Sequence, residues 1–222
     1  MPLRVVRRLA SYPRRSPVTA GFLVLLVAVH VFVDHALEPD TARRLLLAVS
    51  TNLDNLRHHP ISSLFGSAFF FDGTLTGIDT LDFVGTIITL GFGIVVCLAW
   101  LEHRYGQLRA VATFAAGHVG ATLLTAPVIA YAIADGYYPP TIREALDFGI
   151  SYGAQTCLAA CALHLPRMWR FPVIALLFVW PLVGGSWLAG IPDFVTIGHL
   201  IAAVIGLACG AYLKAQRSIP EH

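Results

Sequence analysis

Apolar residues fall in six runs along the chain, at residues 18–37, 81–101, 108–134, 148–165, 171–189 and 194–213. Each is close to the roughly 20 residues that a helix needs to cross about 30 Å of hydrocarbon, so the pattern predicts six spanning helices. A seventh apolar stretch, residues 61–71, is too short to span and is flanked by His58-His59-Pro60 and Asp72-Gly73. Its length predicts an interfacial or re-entrant segment within a long first loop, residues 38–80. The fifth run contains Pro172, Pro181 and Gly184-Gly185, which predicts the most irregular and most mobile of the helices. The expected fold class is therefore all-α: a polytopic membrane protein with a basic N-terminal segment at 1–17, a six-helix domain at 18–213 and a short tail at 214–222.

Composition agrees with that reading. Among 222 residues, 56% are hydrophobic and 13% charged; a soluble domain carries about 25% charged residues. The net charge of +2 gives no argument for nucleic-acid binding. Charge distribution is more informative than its sum, because Lys and Arg accumulate on the cytoplasmic side of a membrane. With the N-terminus inside, the inner segments hold 11 of 15 basic residues, including Arg4, Arg7, Arg8, Arg104, Arg109, Arg167, Arg170, Lys214 and Arg217. Only Glu102 and Glu221 of the 13 acidic residues fall inside. Both termini are thus expected in the cytoplasm, with the first span an uncleaved signal anchor and the protein integral to a bacterial plasma membrane. Cys97, Cys157, Cys161 and Cys209 all lie in apolar runs, where a thiol behaves as a small hydrophobe.

Polar residues inside spans are costly and are retained with a partner or a task. Ser151 lies in Gly149-Ile150-Ser151-Tyr152-Gly153 near the outer end of span four, and His199 near the outer end of span six; His118 and Gln155 complete the set. Ser151 and His199 sit at matching depths, roughly 5 and 8 Å below their helix starts. Ala202, Ala203, Gly206 and Gly210 fall within about 60° of the His199 direction, making a strip of small residues suited to close helix packing. Gly149, Gly153, Cys157 and Cys161 form a second small strip in span four. Two helices joined through these strips would bring a hydroxyl and an imidazole within hydrogen-bond reach, the arrangement of a nucleophile and its general base.

Taken in order, the six spans, the apolar first loop, Glu102-His103-Arg104-Tyr105-Gly106 closing span two, Gly149-Ile150-Ser151 opening span four and His199 in span six resemble the rhomboid family of intramembrane serine proteases. The resemblance runs from about residue 18 to 213. It implies a rhomboid-like bundle in which Ser151 is the nucleophile and His199 its base, with Gly149, Tyr152 and Gln155 supporting the oxyanion or the histidine. Gly206 stands seven residues after the histidine, where the family commonly has glycine. Four features depart from the family. Tyr152 follows the serine where a small glycine is usual, and no clear Trp-Arg pair introduces the first loop. The His-x-x-x-Asn usual at the start of span two is absent around Thr86 to Leu90, and Gln155 stands where an aromatic ring often stacks on the histidine.

The resemblance implies cleavage of transmembrane segments near the outer face by a Ser-His dyad, with transmembrane-helix proteins and the lipid bilayer as partners. A different class is an inert rhomboid-like protein that binds transmembrane helices as clients. A third is a small transporter using His30, His35, His58, His59 and His118. His30 and His35 are about 140° apart on a helix, however, and His58-His59 lack an acidic partner at ligand spacing. No cofactor motif and no metal-ligand spacing is present, and none is expected to be needed.

Overall fold

The computed structural model describes residues 11–216. Arg4, Arg7, Arg8, Arg217 and Glu221, which enter the charge asymmetry, lie outside the described residues. The fold is all-helical except for one two-residue hairpin. After a helical turn at Tyr12–Arg15 come α1 (Pro17–Ala36), then α2 (Pro39–Val49), α3 (Leu53–His58) and α4 (Pro60–Ser67) in the first loop. The rest of the bundle is α5 (Leu81–Tyr105), α6 (Gln107–Ala134), α7 (Ile150–Ala162), α8 (Arg167–Gly184) and α9 (Phe194–Gln216). Strands β1 (Trp187–Leu188) and β2 (Ile191–Pro192) pair antiparallel between α8 and α9.

Five of these helices, α1, α5, α6, α8 and α9, are long and apolar enough to cross a membrane. The expected fourth span is the exception. Helix α7 has 13 residues rather than the 18 of the apolar run, which at 1.5 Å per residue is about 20 Å. Its run-in, Phe148-Gly149, is not helical, and ten of its 13 residues are buried. A helix surrounded by protein needs no full membrane length, because its ends meet protein groups instead of lipid. The fifth span also shifts: α8 starts at Arg167, ahead of the apolar run, and ends at Gly184, where the β-hairpin takes over through Ala189 and Gly190 at positive φ. Charged residues can begin a helix that an apolar count starts later. Between Ile87 and Leu98, α5 is π-helical.

Small residues bring α7 into contact with its neighbours. A Cβ at Gly210 of α9 would sit 2.7 Å from the Ala160 carbonyl oxygen, and one at Gly206 would run into the Thr156 carbonyl. Gly93 of α5 faces Ala154 in the same manner, and Gly117 of α6 faces Thr156. Thr156 completes the α7 to α9 contact by donating from Oγ1 to the Ala202 carbonyl at 2.8 Å.

At the opposite end of the bundle, Glu102 ties α5 to α1. The carboxylate is buried and accepts the Val18 N–H at 2.9 Å, the Thr19 N–H at 2.8 Å and the Thr19 hydroxyl at 2.6 Å. These N–H groups belong to the first turn of α1, which has no intrahelical acceptor for them and whose dipole favours an anion. Tyr12 and Ser16 add bonds to the Val95 and Ala99 carbonyls, at 2.9 and 3.0 Å. Gly106, at φ 88°, then turns the chain into α6 in a conformation that favours glycine.

Removing Glu102 strands these donors in a buried site. Glu102→Ala is expected to lower stability by about 3 kcal/mol, from hydrogen bonds to a charged group left unmade. Thermal unfolding in detergent micelles measures it. Glu102→Gln, which keeps an acceptor oxygen, should fall between the variant and the wild type.

Candidate active site

A cavity of about 400 Å³ opens at the end of the bundle where α5, α7 and α9 begin and α8 ends. Ser151 and His199 both line it, together with Gln155, Pro181, Asp193 and Thr196. A second cavity of about 160 Å³ shares Ser151, Val195, Asp72, Gly85 and Thr89 with the first, so Ser151 stands where the two meet.

Ser151 is the second residue of α7. Its hydroxyl makes no hydrogen bond among the described residues, and the backbone N–H groups of Ile150, Ser151 and Tyr152 are likewise without a backbone acceptor. Those N–H groups form the positive end of the helix dipole, beside a free hydroxyl.

His199 is the sixth residue of α9. Its Nδ1 lies 2.8 Å from the Val195 carbonyl one turn back. A carbonyl can only accept, so Nδ1 carries the proton and Nε2 keeps its lone pair. The ring is also fixed by Tyr152, which meets it edge-on with centroids 5.1 Å apart and planes at 78°. Tyr152 is fully buried, and its ring fills the space that a Cβ on Gly198 would take. Asp193 caps α9 by accepting the Thr196 N–H at 2.7 Å, and accepts the Ser186 N–H at 3.1 Å, which ties the hairpin to the helix start.

No hydrogen bond joins Ser151 to His199 among the described residues. The expectation that two small strips would pack on each other is corrected here. The α9 strip of Ala202, Ala203, Gly206 and Gly210 meets the Thr156, Ala159 and Ala160 face of α7. The Gly149 and Gly153 strip faces α6 instead, at His118, Thr122 and Phe114. Because α7 is enclosed on several sides, it carries small residues on more than one face. Ser151 and Gln155 lie on yet another face, the one that borders the cavity.

Gln155 donates from Nε2 to the Leu177 carbonyl at 2.8 Å. Leu177 is four residues before Pro181, which has no N–H, so this carbonyl lacks its helical donor and the glutamine supplies one. His118 is set apart from the cavity: its Nε2 bonds the Leu64 carbonyl at 2.7 Å and holds α4 against α6. His30 stacks on Phe71, His35 pairs with Asp34 at the surface, and His58 bonds the Asp54 carbonyl. Among the described residues no three His, Cys, Asp or Glu side chains are grouped to hold a metal.

Sequence reasoning passed over Ser50, Thr51 and Asp147. The Asp147 carbonyl accepts from the Thr51 N–H and hydroxyl, both at 2.9 Å, and from Ser50 Oγ at 3.3 Å, while the Asp147 N–H donates to Ser50 Oγ at 2.8 Å. These residues are separated by 96 and 97 positions, and single polar residues in loops carry no periodic signal that would pair them.

A family model described as rhomboid-like protein matches residues 11–219. No curated protein and no solved structure matches the chain.

Burial pushes the Asp147 carboxyl up to about 6. A carboxyl that binds its proton more tightly folded than unfolded loses stability as pH rises from its unfolded pKa through its folded one. Wild type should lose about 3 kcal/mol between about pH 4 and 6 from this group, at 1.36 kcal/mol per pKa unit. Asp147→Asn should flatten that slope, as read from unfolding midpoints across the same pH range.

Proposed function

The chain belongs to the rhomboid-like family, and from that premise we propose that it is an intramembrane serine protease acting on transmembrane helices. The observation that carries the proposal is the pairing of an uncommitted Ser151 hydroxyl and an uncommitted His199 Nε2 on one cavity. The cavity wall is completed by Leu81, Gly85 and Ile88 of α5 and by Trp180, Pro181 and Gly184 of α8. Helix α8 is the natural side for a substrate helix to approach, since 11% of its apolar window is buried against 44% for α5. The charge asymmetry supports a reading in which this end of the bundle faces outward and both termini are cytoplasmic, and we propose a bacterial plasma membrane as its setting.

Ser151 Oγ attacks the carbonyl carbon of a locally unwound substrate while His199 Nε2 takes the hydroxyl proton. The C–N bond then breaks, and the imidazolium returns the proton to the leaving amine. Water, deprotonated by His199, hydrolyses the acyl-enzyme and restores the serine. Among the described residues no carboxylate bonds the imidazole, so this is a dyad; the Val195 carbonyl selects the required tautomer. The oxyanion is met by the free N–H groups at the start of α7. On α5, where the family usually has its side-chain donors, Thr89 lines both cavities with Ser151, and its hydroxyl has no hydrogen bond among the described residues.

A second reading, an inert protein that binds transmembrane helices, is favoured by the missing Ser151 to His199 bond and the missing His-x-x-x-Asn. Purified protein in lipid vesicles, offered single-span substrates with helix-breaking residues near the outer face, separates the two. Protease activity predicts product from wild type and a fall of at least about 10³ in Ser151→Ala and His199→Ala. Silence from all three, with wild type still capturing the helices, would leave the binder reading standing.

A further inference from the structure

A side-chain donor can meet a developing oxyanion only if it shares the nucleophile's space and is not already committed elsewhere. Five residues line both cavities: Asp72, Gly85, Thr89, Ser151 and Val195. Besides Ser151, only Thr89 of these bears a hydroxyl. Two other donors at the first cavity, Gln155 and Thr196, are committed to the Leu177 and Pro181 carbonyls. A helical Thr often bonds a carbonyl one turn back, as Thr86 does to Asp82 at 3.0 Å and Thr113 to Arg109 at 2.8 Å. Thr89, inside the π-helical stretch of α5, makes no hydrogen bond among the described residues.

Helix packing sets Thr89 level with Ser151. Helices α5 and α7 both begin at the cavity, so they run in the same direction. They touch at Gly93, where a Cβ would lie 2.5 Å from the Ala154 Cβ and 3.0 Å from its Cα. Thr89 is four residues before Gly93 and Ser151 three before Ala154, so each stands roughly one turn, about 5 Å, from that contact toward the cavity. Gly85, one turn further along α5, lines both cavities as well, and a Cβ there would meet nothing within 4 Å. The space beside Thr89 is therefore open.

We propose that Thr89 is a catalytic residue, whose hydroxyl donates to the oxyanion formed when Ser151 attacks. The proposal rests on the protease reading. As the bond from Ser151 Oγ to the substrate carbon forms, the carbonyl π pair moves onto the substrate oxygen and the serine proton moves to His199 Nε2. Thr89 keeps its own proton throughout and directs it at that oxygen. When the C–N bond breaks, the pair returns to the carbonyl and the Thr89 hydroxyl is released. The oxygen is thus met from two helices, by a side chain of α5 and by the backbone that begins α7.

The test is Thr89→Val, which keeps the shape and removes the donor, beside Thr89→Ser, which keeps the hydroxyl. Both are followed on a single-span substrate in lipid vesicles, well below each variant's unfolding temperature. Thr89→Val should lower kcat by about 10²-fold or more with KM unchanged, and Thr89→Ser should stay within about threefold of wild type, because a donor to the oxyanion acts only once attack begins. A peptidyl aldehyde, which forms a hemiacetal with Ser151 Oγ, should bind Thr89→Val more weakly than wild type, while the matching peptidyl alcohol binds all three proteins alike. A merely structural role would move both ligands together. If wild type neither cleaves nor prefers the aldehyde, the protease reading fails and the role of Thr89 with it. If wild type is active and Thr89→Val matches its kcat, or Thr89→Ser is as slow as Thr89→Val, the role of Thr89 alone is overturned.

Discussion

A helix shorter than the hydrocarbon layer is thick can serve as a span only where protein rather than lipid surrounds it, and α7 is such a helix. Everything around it follows from enclosing those 13 residues. Gly93 on α5, Gly117 on α6 and Gly206 and Gly210 on α9 remove the side chains that would hold the neighbouring backbones away from it. Apolar burial gives little drive for association within lipid, where the surrounding tails are as apolar as leucine, so close packing and hydrogen bonds carry the contact. The start of α7 is the exception to this close packing, because it must leave a cavity beside Ser151.

The hydrogen bonds that supplement the packing share one form. A polar side chain on one element donates to a backbone carbonyl on another: Ser16 to Ala99, Thr156 to Ala202, Gln155 to Leu177 and His118 to Leu64. Glu102 supplies the converse, an acceptor for the unpaired donors that begin α1. Each satisfies groups that are expensive to leave bare in a low-dielectric interior. These side chains spend their polar atoms on backbone, whereas Ser151 and His199 turn one toward the cavity. Gln155 does both, bonding Leu177 while bordering the site.

The helices were legible in the sequence because a 20-residue apolar run has few alternatives in water or lipid. Glu102 through Gly106 was marked by the family resemblance as the close of span two, and there Glu102–Tyr105 form the last helical residues of α5 while Gly106 alone turns the chain. The true length of α7 was not, because apolarity reports exclusion from water and does not distinguish lipid from protein surroundings. The facing of its small strips was lost for the same reason: a helix enclosed on several sides has no single apolar stripe from which to read its orientation. Ser151 and His199 stood out as polar residues at similar depth, and they do border one cavity. Gln155 was read as site support, and the sequence did contain the signal for its bond: Pro181 deprives Leu177 of its donor. Only the pairing of α7 with α8 was missing.

The departures from the family pattern also have a physical logic. An aromatic ring four residues after the serine would stack on the histidine from the same face of α7; here Gln155 holds that place and Tyr152, one residue after the serine, meets the imidazole edge-on from within the core. A bulky residue in that position is accommodated because Gly198 offers no side chain against it. The exchange frees the neighbouring face for Gln155 to repair α8, whose Pro181 would otherwise leave an unpaired carbonyl beside the cavity. Histidine orientation and the integrity of a proline-containing helix are therefore divided between two α7 residues. With Nδ1 held by the Val195 carbonyl, the imidazole needs no carboxylate to present Nε2 to the cavity.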